Sequence, residues 1–156
     1  MAGRSKRKNE IEVDLGLLGS SLGYHLRRAQ LAAFNGFSKG CAELGISPGL
    51  FAVLEIVYRN PGLTQTAVAN TLGTDRSAMV AAIDKLEKMK LLERCAAEND
   101  RRSYALRMTE HGNEWYQAAE QKVKANEEAF YEPLQDSERE LLVDILTRLS
   151  SRAEAQ

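Results

Sequence analysis

Apolar residues recur at three and four positions from Leu15 through Leu18, Leu22, Leu26, Ala29 and Ala33 to Phe37. That spacing lines one face of a helix. The pattern predicts a first helix reaching Leu44, about thirty residues, which is long for a small domain. In the stretch "GISPGLF", Gly45 supplies a stop, Ser47 a cap and Pro48 a first helical position. A second helix over Pro48 to Arg59 follows, with Phe51, Leu54 and Val57 on one side. "NPGLT" breaks it, and Thr64 opens a short third helix ending at Leu72. Gly73 marks a tight turn, after which Thr74 is the predicted N-cap of a fourth helix running to Met89.

The period then changes from helical to two. "LLERC" and "SYALRMT" read as strands, the second alternating Tyr104, Leu106 and Met108 inward with Ser103, Ala105 and Arg107 between them. Thr109 caps a long fifth helix carrying Trp115, Val123 and Phe130, interrupted near Pro133. Ser137 and Glu140 have capping-box spacing and open a last helix with Leu141, Leu142, Ile145, Leu146 and Leu149.

Composition narrows the class. With 156 residues, 44% hydrophobic and 28% charged, the chain suits one globular domain with oligomerisation helices. No apolar run approaches the ~20 residues of a bilayer span, and the basic start "MAGRSKRKNE" leads into no signal core. The expected partner list therefore has no membrane, and the expected location is cytoplasmic. The formal charge of −1 hides an asymmetry: residues 1–73 carry +3, residues 74–108 +2 and residues 109–156 −6. A near-neutral total is thus compatible with a positive face for nucleic acid.

The chemistry-bearing unit is "TQTAVANTLGTDRSAMVAAIDKL". A short helix, a turn at Gly73 and a second helix make a helix-turn-helix, with small Ala69 where the two would cross. Met79, Ala82, Ile83 and Leu86 form the buried stripe of the second helix, leaving Ser77, Val80, Ala81 and Asp84 outward and Arg76 in the first turn. Directly downstream, "ENDRRSYALRMT" puts Arg101 and Arg102, flanked by Glu98 and Asp100, at the tip of the hairpin. Such a tip is either a solvated turn or a group that grips phosphate. After a helix-turn-helix, the hairpin is a wing that lies over the minor groove, where arginine is attracted to the concentrated negative potential.

From Leu44 to Gly112 the sequence resembles the MarR family of bacterial transcription regulators. The carrying residues are "LGTDRSAMVAAIDKLEKMKLLER", with its D-R-S opening and D-x-L-E-x run, and "ENDRRSYALRMTEHG", with its T-E-x-G exit. The flanking long helices extend the resemblance over nearly the whole chain. It implies a mainly α fold, a winged helix-turn-helix with long N- and C-terminal dimerisation helices. The corresponding domains are a disordered basic arm (1–12), a dimerisation and effector helix (13–44), the DNA-binding winged helix (45–109) and C-terminal dimerisation helices (110–156). It further implies a homodimer that represses transcription from double-stranded DNA until a small molecule binds. On this plan Thr74, Asp75, Arg76, Ser77, Val80 and Ala81 meet the major groove, and Arg101 and Arg102 the minor groove.

Two positions depart from the family pattern. Lys90 stands where Gly often precedes the first wing strand, so a lysine has to take a left-handed backbone. Val80 and Ala81 stand where many members have polar or basic groups. They can pack on a thymine methyl but cannot hydrogen-bond a base.

Sensing chemistry is narrowed by elimination. Cys41, near the end of the first helix, and Cys95, in a strand, read as structural thiols rather than peroxide sensors. With only His25 and His111 in the chain, a metal site is not expected. No catalytic triad, phosphate loop or paired-acid motif occurs, so neither an enzyme nor a resident cofactor is expected. An organic effector remains. Tyr24, His25, Arg27 and Arg28 cluster within "GYHLRRAQ", either snorkelling and pairing with acidic helices or forming an anion-binding surface beside an aromatic pocket. That stretch and "DRSAMVAAIDKL" are also similar to a family branch answering to aryl-CoA thioesters such as hydroxycinnamoyl-CoA. The expected effector is an aromatic acid or its CoA thioester, held between the first helix, the second helix and the start of the fifth. The alternatives are a winged-helix protein-interaction module that binds no DNA, and a regulator of the same type answering to a different small molecule.

Overall fold

A computed structural model describes residues 13–97 and 100–151, the side chains of 97 and 100–103 excepted. The predicted basic arm, 1–12, lies outside the described residues. Contacts divide the chain into two compact units, residues 1–32 and 33–156.

The predicted thirty-residue helix is interrupted twice. A 3-10 turn, Gly16–Ser20, is followed by extended Ser21, then by α1 over Leu22–Gly40, and a second 3-10 turn covers Ala42–Leu44. Local chemistry explains the first break. Gly16 adopts φ +49°, and its N–H is taken at 2.9 Å by the Asp14 carboxylate. Glycines at 16, 19 and 23 lower helix propensity, and Ser21 competes as a cap by accepting from Tyr24 N at 3.4 Å. Apolar spacing alone carries no information about these breaks.

The remaining helices follow the reading closely. Ser47 accepts from Leu50 N at 3.3 Å and starts α2, Pro48–Arg59. Thr64 accepts from Ala67 N at 3.2 Å and starts α3, Gln65–Thr71. After α4, Arg76–Lys88, come β1, Leu92–Ala97, and β2, Asp100–Met108. The two strands pair antiparallel with Leu92 opposite Met108, and the register slips between Ala96 and Ala97. Leu54, Val57, Val68, Ile83, Leu86 and Leu106 are wholly enclosed at the centre of one core formed by α2, α3, α4 and the hairpin.

The alternation predicted for the second strand fails in part. Tyr104 is 62% exposed, whereas adjacent Ala105 and Leu106 are both buried. Leu106 N donates to Leu63 O at 2.8 Å and Gly62 N donates to Leu106 O at 2.9 Å, and Thr64 bridges to Ala105. The segment before α3 thus covers the free edge of β2 next to the core, while Tyr104 lies further out along the hairpin. A pairing between residues forty apart leaves no local trace in the sequence.

Thr109 caps α5, Glu110–Tyr131, by accepting from Gly112 N at 2.8 Å, as predicted. The fully buried residues of α5 include Tyr116 and Ala119, while Trp115, Val123 and Phe130 are only half-buried. The last helix, α6, spans Asp136–Ser151. Its box lies two residues upstream of the predicted one: Glu138 Oε2 accepts from Gln135 N at 2.8 Å, and Ser137 is an exposed helical residue. Among the described residues no helix is long and apolar enough to cross a membrane.

Candidate nucleic-acid interface and ligand cleft

The turn between α3 and α4 is closed by Thr74 N donating to Ala69 O at 2.9 Å, with Gly73 at φ +60°. A side chain at Gly73 would meet open space, so the glycine is required by its backbone angle alone. Ala69 is buried at the crossing, as expected of a small residue there. The predicted capping role of Thr74 belongs instead to Asp75. Thr74 spends its N–H on Ala69 and its hydroxyl on Leu72 O, whereas Asp75 Oδ1 accepts from Ala78 N at 2.9 Å and from the Ser77 hydroxyl at 2.6 Å. The Ser77 bond, then the Ala78 amide, hold the Asp75 carboxyl below its ordinary range.

Capped in this way, α4 buries Met79, Ile83 and Leu86 and leaves Arg76, Ser77, Val80 and Ala81 exposed on its opposite face. These four therefore share one solvent-facing surface at the start of the helix. Asp84 is different. It forms an ion pair with Arg94 at 2.8 Å, and Arg94 also pairs with Glu87 and reaches Gln65 Oε1 at 3.3 Å. Glu87 additionally accepts the Arg94 backbone N–H at 2.9 Å. One β1 arginine thereby ties α3, α4 and the hairpin together, a role the sequence reading missed. The available signal was Asp84 and Glu87, three apart and so on one helical face.

Lys90 takes φ +58°, as expected where a glycine is often found. The strained turn is held by Lys90 N donating to Glu87 O at 2.8 Å and by the Thr109 hydroxyl donating to Lys90 O at 2.6 Å. Gly112, of the T-E-x-G exit, lies against the Leu91 carbonyl so closely that an added Cβ would overlap it. The hairpin base and the start of α5 are thus fastened at one point. At the far end, Arg101 and Arg102 belong to β2 rather than to a loop, because pairing continues to Ala97 opposite Asp100. Their side chains, and with them the predicted tip contacts, lie outside the described residues.

Of the predicted effector residues, Tyr24 and His25 pack edge to face with ring centres 5.4 Å apart. His25 Nε2 lies 3.0 Å from Gly19 O, so that nitrogen carries the proton. Arg27 and Arg28 are exposed one turn further along α1. Within residues 33–156 lies a separate cleft of about 160 Å³, walled by Phe34, Phe37, Pro48, Phe130 and Tyr131, with Asn126 and Glu127 as polar lining. It abuts the end of α5, not its start. From the cleft a line of rings runs inward: Phe37 to Phe51 at 6.2 Å, Phe51 to Tyr116 at 5.8 Å and Tyr116 to Tyr58 at 4.1 Å. The Tyr116 hydroxyl donates to Glu55, whose other oxygen accepts from Arg59 at 3.0 Å. Burial first, then the Glu55 carboxylate, push the Tyr116 phenol up to about 12.

Cys41 is buried and its thiol is pushed up, chiefly by desolvation, which makes it a poor nucleophile. Cys95 is half-exposed in β1. Among the described residues no group of three His, Cys, Asp or Glu is placed to hold a metal ion.

Comparison with known proteins agrees with this geometry. The MarR family model matches residues 44–103. A protein of Thauera aromatica, described as a putative transcriptional regulatory protein for the hcr operon, is 36% identical over 94% of this chain and 89% of its own length. Among solved structures, the transcriptional repressor CouR bound to a 23-mer DNA duplex is 36% identical, covering 89% of this chain and 99% of that one, at a TM-score of 0.84. CouR bound to p-coumaroyl-CoA is 34% identical over 89% of this chain and 98% of that one, at a TM-score of 0.81. The helix-turn-helix with its attached hairpin and the full-length likeness to such regulators lead to one conclusion: this chain belongs to the MarR family, as a DNA-binding transcriptional regulator and not an enzyme.

Proposed function

We propose that the protein is a repressor that binds a pseudo-palindromic operator as a homodimer and leaves it on binding an aromatic acid or aryl-CoA thioester. The observation that carries the DNA reading is the face of α4 that presents Arg76, Ser77, Val80 and Ala81 to solvent while its other face is buried. Such a face fits the major groove: Arg76 and Ser77 supply donors, and Val80 and Ala81 supply methyl contacts. Arg101 and Arg102 fall at the start of β2, several residues before its buried Ala105 and Leu106, which suits an arginine wing over the minor groove. A helix whose Leu141, Leu142, Ile145, Leu146 and Leu149 are all exposed supports a dimer, because a second copy would cover that apolar surface.

For the effector, support comes from the ring-sized cleft and from the likeness to CouR with its p-coumaroyl-CoA. The cleft's phenyl groups would take the ring of a hydroxycinnamoyl group, and Tyr24, His25, Arg27 and Arg28 of α1 are the candidate partners for an effector's anionic groups. Release follows only if the ligand prefers a lobe spacing that no longer fits two successive major grooves.

Gel-shift titration on the DNA upstream of the protein's own gene tests the reading. Arg76→Ala, Ser77→Ala and Arg102→Ala should each weaken binding, by about 1–3 kcal/mol for a good specific contact. Arg27→Ala and Arg28→Ala should leave DNA affinity intact while raising the thioester concentration needed for release. No shift with the unaltered protein would favour a protein-interaction module, whereas full retention of affinity in all the DNA-face variants would place the DNA contact on another surface. Retention of the complex at saturating aryl-CoA would remove the effector class.

A further inference from the structure

The cleft at the end of α5 is mostly carbon, but its polar lining is specific. Asn126 presses its carboxamide onto α1 at Gly40, where an added Cβ would collide with Asn126 Oδ1. That contact fixes the amide beside the cleft and explains the small residue opposite it. The half-buried Asn126 carboxamide has no hydrogen-bond partner among the described residues, and Glu127 next to it has no cation. Neighbouring polar groups differ: Glu128 is held by Arg139 at 2.7 Å, and the Tyr131 carbonyl accepts from Arg139 at 3.1 Å. The Asn126 amide atoms are not enclosed, so they stay open to a ligand as hydrogen-bond partners in an otherwise apolar lining. A volume of about 160 Å³ takes a single six-membered ring, since cavities of about 150 Å³ hold benzene.

We infer that this cleft reads a hydroxyl group on the far side of an effector's aromatic ring, with Asn126 as the residue that recognises it and Glu127 as the residue that refuses an anionic substituent there. The carboxamide suits a phenol in both directions, because Oδ1 accepts its proton and Nδ2 donates to its oxygen. A carboxylate in the same place would share the cleft with the Glu127 carboxylate, and like charges repel. The ring therefore enters with its neutral hydroxyl first, and the acyl end points outward. This inference rests on the reading that the effector is an aryl thioester.

The test uses the full-length protein and three probes: cinnamoyl-CoA, 4-hydroxycinnamoyl-CoA and 4-carboxycinnamoyl-CoA, with Kd read by calorimetry. The hydroxylated thioester should bind about tenfold more tightly than the bare one, the scale of one satisfied hydrogen bond. The carboxylated one should bind worst. Asn126→Leu should bring the hydroxyl preference to about one without weakening cinnamoyl-CoA, and Asn126→Ala serves if leucine perturbs the contact with Gly40. Glu127→Gln should selectively rescue the carboxylated probe. Equal binding of the first two probes by the unaltered protein, or a hydroxyl preference that survives both Asn126 variants, overturns the inference and leaves the aryl-effector reading standing. Binding of none of the three overturns both.

Discussion

Gly112 and Tyr116 lie four residues apart on α5, and each is explained by what it touches. Gly112 lets the first turn of α5 sit on the Leu91 carbonyl, where any Cβ would overlap backbone. Backbone cannot rotate away as a side chain can, so Gly112→Ala should destabilise the fold by about 2–3 kcal/mol, the upper part of the overpacking range. Urea unfolding measures it, and an unchanged midpoint would mean that α5 pivots freely on the hairpin. Tyr116 is a wholly buried ring whose hydroxyl reaches Glu55. Its ionisation is raised from the ordinary 10.0 to about 12 in the folded chain, so the unfolded chain loses its proton first. The stability tied to this phenol is fully present below pH 10 and is lost as pH rises towards 12. Tyr116→Phe should be less stable at neutral pH by about 1 kcal/mol, and should lack that part of the alkaline loss. Parallel pH profiles for the two proteins would contradict the raised ionisation that burial, and then Glu55, give Tyr116.

Among the elements, α4 and the hairpin are the pair that the proposed reading sets against DNA, and Arg94 ties them together. Its guanidinium joins Asp84, Glu87 and Gln65, and its backbone is also held by Glu87. The pairs are partly solvated, so Arg94→Ala should cost only about 1–2 kcal/mol, well below a fully buried pair. The larger effect should fall on the operator, because a loosened wing and α4 no longer present one rigid surface. Gel-shift affinity should drop although Arg94 itself faces the α4 carboxylates. Normal affinity with reduced stability would confine Arg94 to the core. Arg139 plays a comparable part at the other end, donating to Tyr131 O and Glu128 and so gripping the end of α5 from the first turns of α6.

At the scale of the whole molecule, the distribution of apolar surface is uneven. Residues 45–109 enclose a core, whereas α6 exposes Leu141, Leu142, Val143, Ile145, Leu146 and Leu149. Burying such a helix against a second copy is worth about 25 cal/mol per Å² of apolar surface covered, before the cost of association. Removing residues 136–151 should therefore yield a monomer by analytical ultracentrifugation, with the core's unfolding transition retained. Operator affinity should collapse, because one reading head no longer tethers the other. A truncated chain that remained dimeric would place the interface elsewhere.

Local patterns determined much of this protein. Ser47, Thr64 and Thr109 cap the helices they were expected to cap, because capping depends only on the next three residues. The stripe of Met79, Ile83 and Leu86 is buried as its spacing requires, and "LGTDRS" and "TEHG" carried the family. What failed locally failed for small, nameable reasons: Thr74 lost the cap to Asp75 because its N–H closes the turn, and the first helix broke at Ser21 among glycines. Contacts between residues far apart in the chain had no periodic signature. The Gly62–Thr64 segment on β2, the Arg94 cluster and the placement of Asn126 against Gly40 were decided only when the helices packed. A helix announces which face is apolar, but its partner and its closest approach are set by shape, and shape exists only in the folded chain.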